Sequence, residues 1–186
     1  TRTAALSFGG YDGTSPGNTG DTEQFSGNVA IGAWITGGNL NSARGALAGA
    51  GASNSSALAF GGVDPSPGVV AKTEQYDGTT WVEVNDMNEG RNRHAGCGTI
   101  TSALALGGSP ANSPTRSAKV ESWNGDVWTE VADLSAVKRF VGAAGNSTAA
   151  IAFAGEGASP DGETESWNGS SWTEVANMNN GRIILA

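Results

Sequence analysis

Hydrophobic positions along the chain fall in short runs, and the runs come in sets. Apolar stretches such as Ala57-Leu58-Ala59-Phe60, Ala103-Leu104-Ala105-Leu106 and Ala149-Ala150-Ile151-Ala152-Phe153 end at Gly61-Gly62, Gly107-Gly108 and Ala154-Gly155. Runs of this length, bounded by Gly and Ser/Thr, predict buried β-strands. Another class alternates apolar and polar residues: Trp81-Val82-Glu83-Val84, Trp128-Thr129-Glu130-Val131 and Trp172-Thr173-Glu174-Val175. Period-two alternation predicts half-buried strands. Between the two classes lie Thr73-Glu74-Gln75-Tyr76, Val120-Glu121-Ser122-Trp123 and Thr164-Glu165-Ser166-Trp167. Each leads into Asp77-Gly78, Asn124-Gly125 or Asn168-Gly169, dipeptides that tolerate positive φ and favour hairpin turns. No stretch carries a helical period.

These strings repeat. Gly9-Gly10 heads the same series, followed by Thr22-Glu23-Gln24-Phe25 and Trp34. Four markers recur in one order, at spacings of 44 to 52: the Gly pair, the Glu two residues before an aromatic, the Trp, and a basic residue (Arg44, Arg91, Lys138, Arg182). A period of this length with four strands per unit predicts propeller blades, stacked because one blade cannot bury both of its faces. The units run roughly 1–43, 44–90, 91–137 and 138–181. The chain opens on a second strand, and Arg182–Ala186 matches a first strand, so residues 182–186 are expected to complete the first blade. That closure would remove an exposed sheet edge. A single-chain four-bladed ring is the simplest arrangement; a ring shared by two copies is the alternative.

The Gly pair, the Glu-x-aromatic string, the Trp, and Met87-Asn88-Glu89-Gly90-Arg91 or Met178-Asn179-Asn180-Gly181-Arg182 resemble the kelch repeat. The resemblance covers essentially the whole chain and implies an all-β propeller. It departs from the kelch pattern in the short gap from Tyr76 to Trp81 and in the Asn that follows Met. Wording such as Thr164-Glu165-Ser166-Trp167-Asn168-Gly169 is also similar to environmental and phage-encoded propeller arrays. The kelch-type domain of galactose oxidase carries a copper site built from Tyr, His and Cys. With two Tyr, one His and one Cys, this chain cannot furnish it.

Charge narrows the function. Ten Lys+Arg stand against eighteen Asp+Glu, a formal charge of −8 in 186 residues. Such a chain lacks the basic footprint of a nucleic-acid binder and is repelled by anionic membrane surfaces. No run is long enough to span a membrane, and no nucleophile elbow, phosphate-cradling loop or Cys/His metal cluster is present. Cys97 stands where other repeats carry small residues, and His94 where they carry Leu47, Val141 and Leu185. Both read as core.

The recurring carboxylates Glu23, Glu74, Glu121 and Glu165 each share a strand face with an aromatic. A buried carboxylate needs partners, which Arg44, Arg91, Lys138 and Arg182 or backbone amides are placed to supply. The segments between second and third strands vary while the framework repeats, and they hold the prolines. Binding function concentrates on such loops. Asn39, Asn41, Asp64, Asn88, Asn92, Asp161 and Asn179 are the candidate ligand contacts on that face. Asp12, Asp64, Asp161 and Glu163 offer at most a weak calcium site; no other cofactor is expected. The expected function is a non-catalytic protein- or surface-interaction module, extracellular or virion-associated. A glycan-binding propeller using the tryptophans is the second reading, and an enzyme the third.

Overall fold

A computed structural model describes residues 4–11, 17–26, 33–65, 68–111, 114–157 and 162–183. The described residues contain strands and turns and no helix, and no helix therefore crosses a membrane. The first sheet joins β1 (Ala4–Phe8), β2 (Thr22–Ser26) and β3 (Ala33–Thr36). The second joins β4 (Ala48–Ser53), β5 (Ser56–Phe60), β8 (Thr73–Tyr76) and β9 (Trp81–Val84), with a small hairpin of β6 (Val63–Asp64) and β7 (Gly68–Val69) set into its middle loop. The third joins β10 (Ala95–Thr99), β11 (Ser102–Leu106), β12 (Val120–Trp123) and β13 (Trp128–Val131). The fourth joins β14 (Gly142–Asn146), β15 (Ala149–Phe153), β16 (Thr164–Trp167) and β17 (Trp172–Glu174). Every sheet is an antiparallel meander in sequence order.

The register repeats with the sequence. Ala59 pairs with Glu74 and Glu74 with Glu83; Ala105, Glu121 and Glu130 line up in the same way. In the hairpin turns the glycine takes the positive φ, 99° at Gly78 and 101° at Gly125. The preceding Asp77 and Asn124 instead turn their side chains back to accept two backbone amides each, at 2.8–2.9 Å. The turn is thus held by an Asx side chain, with only the Gly in left-handed backbone.

Large and small residues alternate along the second strands, and this sets how the sheets stack. Leu58 and Phe60 bury against the third sheet with Trp123 and Trp128. Ala57 and Ala59, on the other face, leave room for Tyr76 and Trp81 against Phe8 of the first sheet. Leu104 and Leu106 meet Trp167 of the fourth sheet likewise. Among the described residues the core divides into three clusters, one at each junction between successive sheets.

Glycine in the inner strands makes room for the neighbour's phenylalanine. A Cβ at Gly49 would lie 2.6 Å from Phe8 Cζ, and one at Gly96 would lie 2.6 Å from Phe60 Cζ. At the next junction Leu106 replaces Phe and Ala143 replaces Gly, so the two sides vary together in size. Between these inner strands Ala46, Arg93 and Phe140 form a backbone ladder across sheets: Arg93 N–H donates to Ala46 at 3.0 Å and Phe140 N–H to Arg93 at 2.8 Å. The first sheet has three described strands; of residues 182–186, expected to supply its fourth, Arg182 and Ile183 form no strand and 184–186 lie outside the described residues.

Candidate functional site

Two groups of residues have candidate roles: the carboxylate–base pairs between sheets and the loops on one face. The pairs are built as clasps. In the segment before β4, Leu40 N–H donates to Gly20 O at 2.7 Å, and Arg44 O accepts from Gly10 N–H at 2.9 Å. These bonds lay residues 40–44 on the first sheet. From there the segment reaches Glu74 in the second. Asn41 gives that carboxylate its backbone N–H at 2.7 Å and its side-chain Nδ2 at 2.9 Å, and Arg44 Nη1 lies 2.7 Å from Oε1. Asn41 Nδ2 also reaches Trp81 O at 2.9 Å.

The next clasp repeats the geometry. Asn88 N–H and Nδ2 donate to Glu121 Oε2 at 2.7 and 2.9 Å, and Nδ2 donates to Trp128 O at 3.1 Å. Arg91 Nη2 bonds Glu121 Oε1 at 2.6 Å while its Nη1 donates to Lys119 O at 2.8 Å and Gly107 O at 3.4 Å. Arg91 and Glu121 are each 1% exposed. An ion pair this deep is favoured when its remaining polar atoms are served; Asn88 fills Glu121 Oε2, while Arg91 Nε is buried without a partner.

The third clasp is weaker in chemistry. Ser135 stands in place of Asn, and its N–H alone donates to Glu165 Oε2, at 2.9 Å. Lys138 Nζ is 3.8 Å from Glu165 Oε1 and sits closer, at 3.0 Å, to Glu163. Glu165 Oε1 is buried without a hydrogen bond.

Tryptophans stitch the same junctions. Trp81 Nε1–H donates to Thr22 Oγ1 of the preceding sheet at 2.9 Å, and Trp128 Nε1–H to Thr73 Oγ1 at 3.1 Å. At the next junction Val120 replaces the threonine, and Trp172 Nε1–H donates to Ala132 O instead.

The candidate ligand contacts are distributed accordingly. Asn41 and Asn88 hold the clasp carboxylates. Asn92 is 1% exposed and bridged by backbone to Ser109. Asn39 is exposed and donates to Asp21, and Asp64 lies 3.7 Å from Lys72. Asn179 is exposed. Asp161 and Asp12 lie outside the described residues. Among the described residues no group of three or more His, Cys, Asp or Glu is arranged to hold a metal.

Sequence reasoning placed the asparagines on a ligand face and missed their work inside the junctions. The signal was the constant Asn-x-x-Arg spacing, at Asn41/Arg44, Asn88/Arg91 and Asn179/Arg182. Equal spacing to a recurring charge marks a joint part. The tryptophan–threonine bonds were missed too, although Thr precedes Glu in three of the four strings.

The one His and the one Cys of the chain are both buried. His94 is buried, and desolvation together with Arg91 depresses its pKa to about 3, which keeps it neutral. Burial pushes the Cys97 thiol up to about 11. The loop face carries a different cluster: Glu156 takes a bidentate bond from Arg139 at 2.9 and 3.0 Å and another from Arg116. The hydrogen bonds from Arg139 and Arg116 hold the Glu156 carboxyl at about 2, below its ordinary range. Arg93 and Arg139 lie over the Phe140 ring at 5.4 Å.

The sequence matches no protein-family model, and no curated protein matches it.

Proposed function

We propose that the chain is a kelch-like propeller module that binds a protein or surface partner through its loop face and catalyses no reaction. The observation that carries this reading is a division of labour. The framework residues repeat and are consumed in the junctions. The segments joining second to third strands differ between repeats in length, charge and side-chain chemistry. Backbone bridges fix those segments to the lead-in of each inner strand, as at Gly45–Val63, Asn92–Ser109 and Arg139–Glu156. A rigid repeated scaffold presenting unlike loops is the arrangement of a recognition module. Tyr11, 73% exposed, and the Arg116–Arg139–Glu156 cluster are contact groups of the kind such faces use. Low charge density and a surface of Ser, Thr and Asn suit an extracellular or virion-associated assembly.

The test is a binding screen of the purified chain on an immobilised glycan array and on cell-surface preparations, protease-treated and untreated. The reading expects retention on untreated surfaces that is lost after protease treatment. It expects the same loss when the β6–β7 hairpin is replaced by a Gly-Ser connection. Retention on glycans alone transfers the assignment to a lectin. Turnover of chromogenic esters, phosphoesters or glycosides contradicts a non-catalytic module.

A further inference from the structure

We infer that Arg93, lying over Phe140 beside Arg139 and Arg116, is the point on the loop face that grips a carboxylate side chain of a protein partner. The inference deepens the loop-face reading and rests on it. The site begins with three matched positions. Ala46, Arg93 and Phe140 each stand two residues after a clasp base (Arg44, Arg91 or Lys138) and two residues before the inner strand β4, β10 or β14. All three are held at φ of 51–53°, a left-handed conformation that disfavours any residue with a Cβ. Glycine would relieve it, and the chain has 29 glycines, yet none stands at these three places. The backbone there is tied from sheet to sheet, Arg93 N–H donating to Ala46 O and Phe140 N–H to Arg93 O. The strained rim is therefore part of the scaffold, while the group mounted on it changes from methyl to guanidinium to phenyl. Positions that vary on a constant frame are where recognition is set.

Charge around Phe140 does not balance. Arg93 and Arg139 each place Cζ 5.4 Å from the centre of its ring. Arg139 gives two bonds to Glu156, and Arg116 bonds the same carboxylate. Three guanidinium groups thus gather round one ring and one carboxylate, a basic island in a chain of formal charge −8. Glu156 is engaged by Arg139 and Arg116. Among the described residues Arg93 forms no ion pair. Its side-chain contact is the Phe140 ring, and an arginine lying over a ring keeps its N–H donors for other partners. Arg93 and Phe140 are both half-buried, so the ring steadies a long side chain whose ordering would otherwise weaken binding.

The chemistry that fits is a planar anion. A guanidinium fork meets a carboxylate through two parallel N–H···O bonds, and the site already contains one example: Arg139 Nε and Nη2 hold Glu156 at 2.9 and 3.0 Å. An aspartate or glutamate of the partner repeats that geometry at Arg93, with Phe140 supplying the apolar contact beside it. Arginine and aromatic side chains together are what the centres of protein interfaces are enriched in. The acidic chain as a whole repels an acidic partner at a distance, and salt screens that repulsion beyond about 8 Å at physiological strength. The attraction of Arg93 therefore acts at contact, and it is read from single-residue changes at fixed salt.

The experiment measures binding of a fluorescein-labelled octaglutamate peptide by anisotropy, at physiological salt, to the wild-type chain, Arg93→Ala and Lys119→Ala. Alanine already stands at this φ at position 46, so Arg93→Ala suits the backbone. Lys119, 42% exposed, removes the same charge away from the Phe140 ring. The wild-type chain is expected to bind the peptide, Arg93→Ala to bind it at least about tenfold more weakly, the scale of one lost charge-assisted contact, and Lys119→Ala to bind it as the wild type does. Octaglutamate that the wild-type chain does not bind, or that Arg93→Ala binds equally well, overturns the inference. So does an equal loss in Lys119→Ala, which would mean diffuse charge, and so does tighter Arg93-dependent binding of a labelled sulfated oligosaccharide, which would make the ligand a sulfate. On untreated cell surfaces, retention that Arg93→Ala leaves unchanged overturns the inference and leaves the loop-face reading standing. A chain retained by no untreated surface overturns that reading and the inference with it.

Discussion

Replacing Ser135 by Asn should strengthen the third clasp to the standard of the second. In the second clasp, Asn88 Nδ2 makes two bonds that Ser135 lacks, one to Glu121 Oε2 at 2.9 Å and one to Trp128 O at 3.1 Å. Glu165 Oε2 already accepts the Ser135 N–H, and Trp172 holds the strand position of Trp128. A hydrogen bond to a charged group contributes about 1.5–3 kcal/mol and one to a neutral carbonyl about 1 kcal/mol. Position 135 is exposed, so water already serves part of this need, and a net gain of about 1–2 kcal/mol is the expected outcome. For a domain of this size that is a rise in melting temperature of roughly 2–8 °C. Asn88→Ser should cost a similar amount, and the two changes combined should nearly cancel, since they touch different junctions. Urea denaturation followed by tryptophan fluorescence measures all three. The reasoning fails if Ser135→Asn is neutral or destabilising while Asn88→Ser is destabilising, because the two clasps would then not be equivalent joints.

Three further outcomes follow from the geometry. His94 has a folded pKa of about 3 against 6.5 when exposed, so only the unfolded chain takes up its proton as pH falls below 6.5. Stability should drop by about 2 kcal/mol between pH 6.5 and 5, and His94→Leu, the residue of the second repeat, should flatten that interval in pH-dependent unfolding; Glu156, held at about 2, acts only at lower pH. Gly49→Ala should cost about 1–3 kcal/mol by crowding Phe8, whose Cζ would lie 2.6 Å from the new Cβ, and Phe8→Leu in the same chain should recover at least about 1 kcal/mol relative to additivity, read from a double-mutant cycle. Ala154 has a φ of 60° where the other repeats carry glycine, so Ala154→Gly should raise stability by about 1 kcal/mol in thermal unfolding.

The strand order and phase were legible in the sequence because each strand class has its own pattern. Ala-Leu-Ala-Phe marks a second strand, Thr-Glu-Gln-Tyr a third and Trp-Val-Glu-Val a fourth. Hydrophobic periodicity reports which face is buried. It does not report what that face meets. The large-small alternation at Leu58 and Ala59 was visible, yet its consequence, one core per junction, needed the neighbouring sheet. The pairing of Gly49 with Phe8 and of Ala143 with Leu106 spans different repeats, so it shows only when repeats are compared two positions at a time. Asn41 and Asn88 are exposed, as polar residues beside a turn are expected to be; their bonds to the Glu74 and Glu121 carboxylates show only when the next sheet is set beside them.

The central claim is that clasps of one design join successive sheets, and amide hydrogen exchange at the clasp residues tests it most directly. The amides of Asn41, Asn88 and Ser135 each donate to a carboxylate, at 2.7, 2.7 and 2.9 Å. All three should exchange slowly, and the Asn88 amide should lose its protection when Glu121 is replaced by Ala. Rapid exchange at Asn41 and Asn88 in the intact chain, or protection of Asn88 that survives Glu121→Ala, would contradict the account.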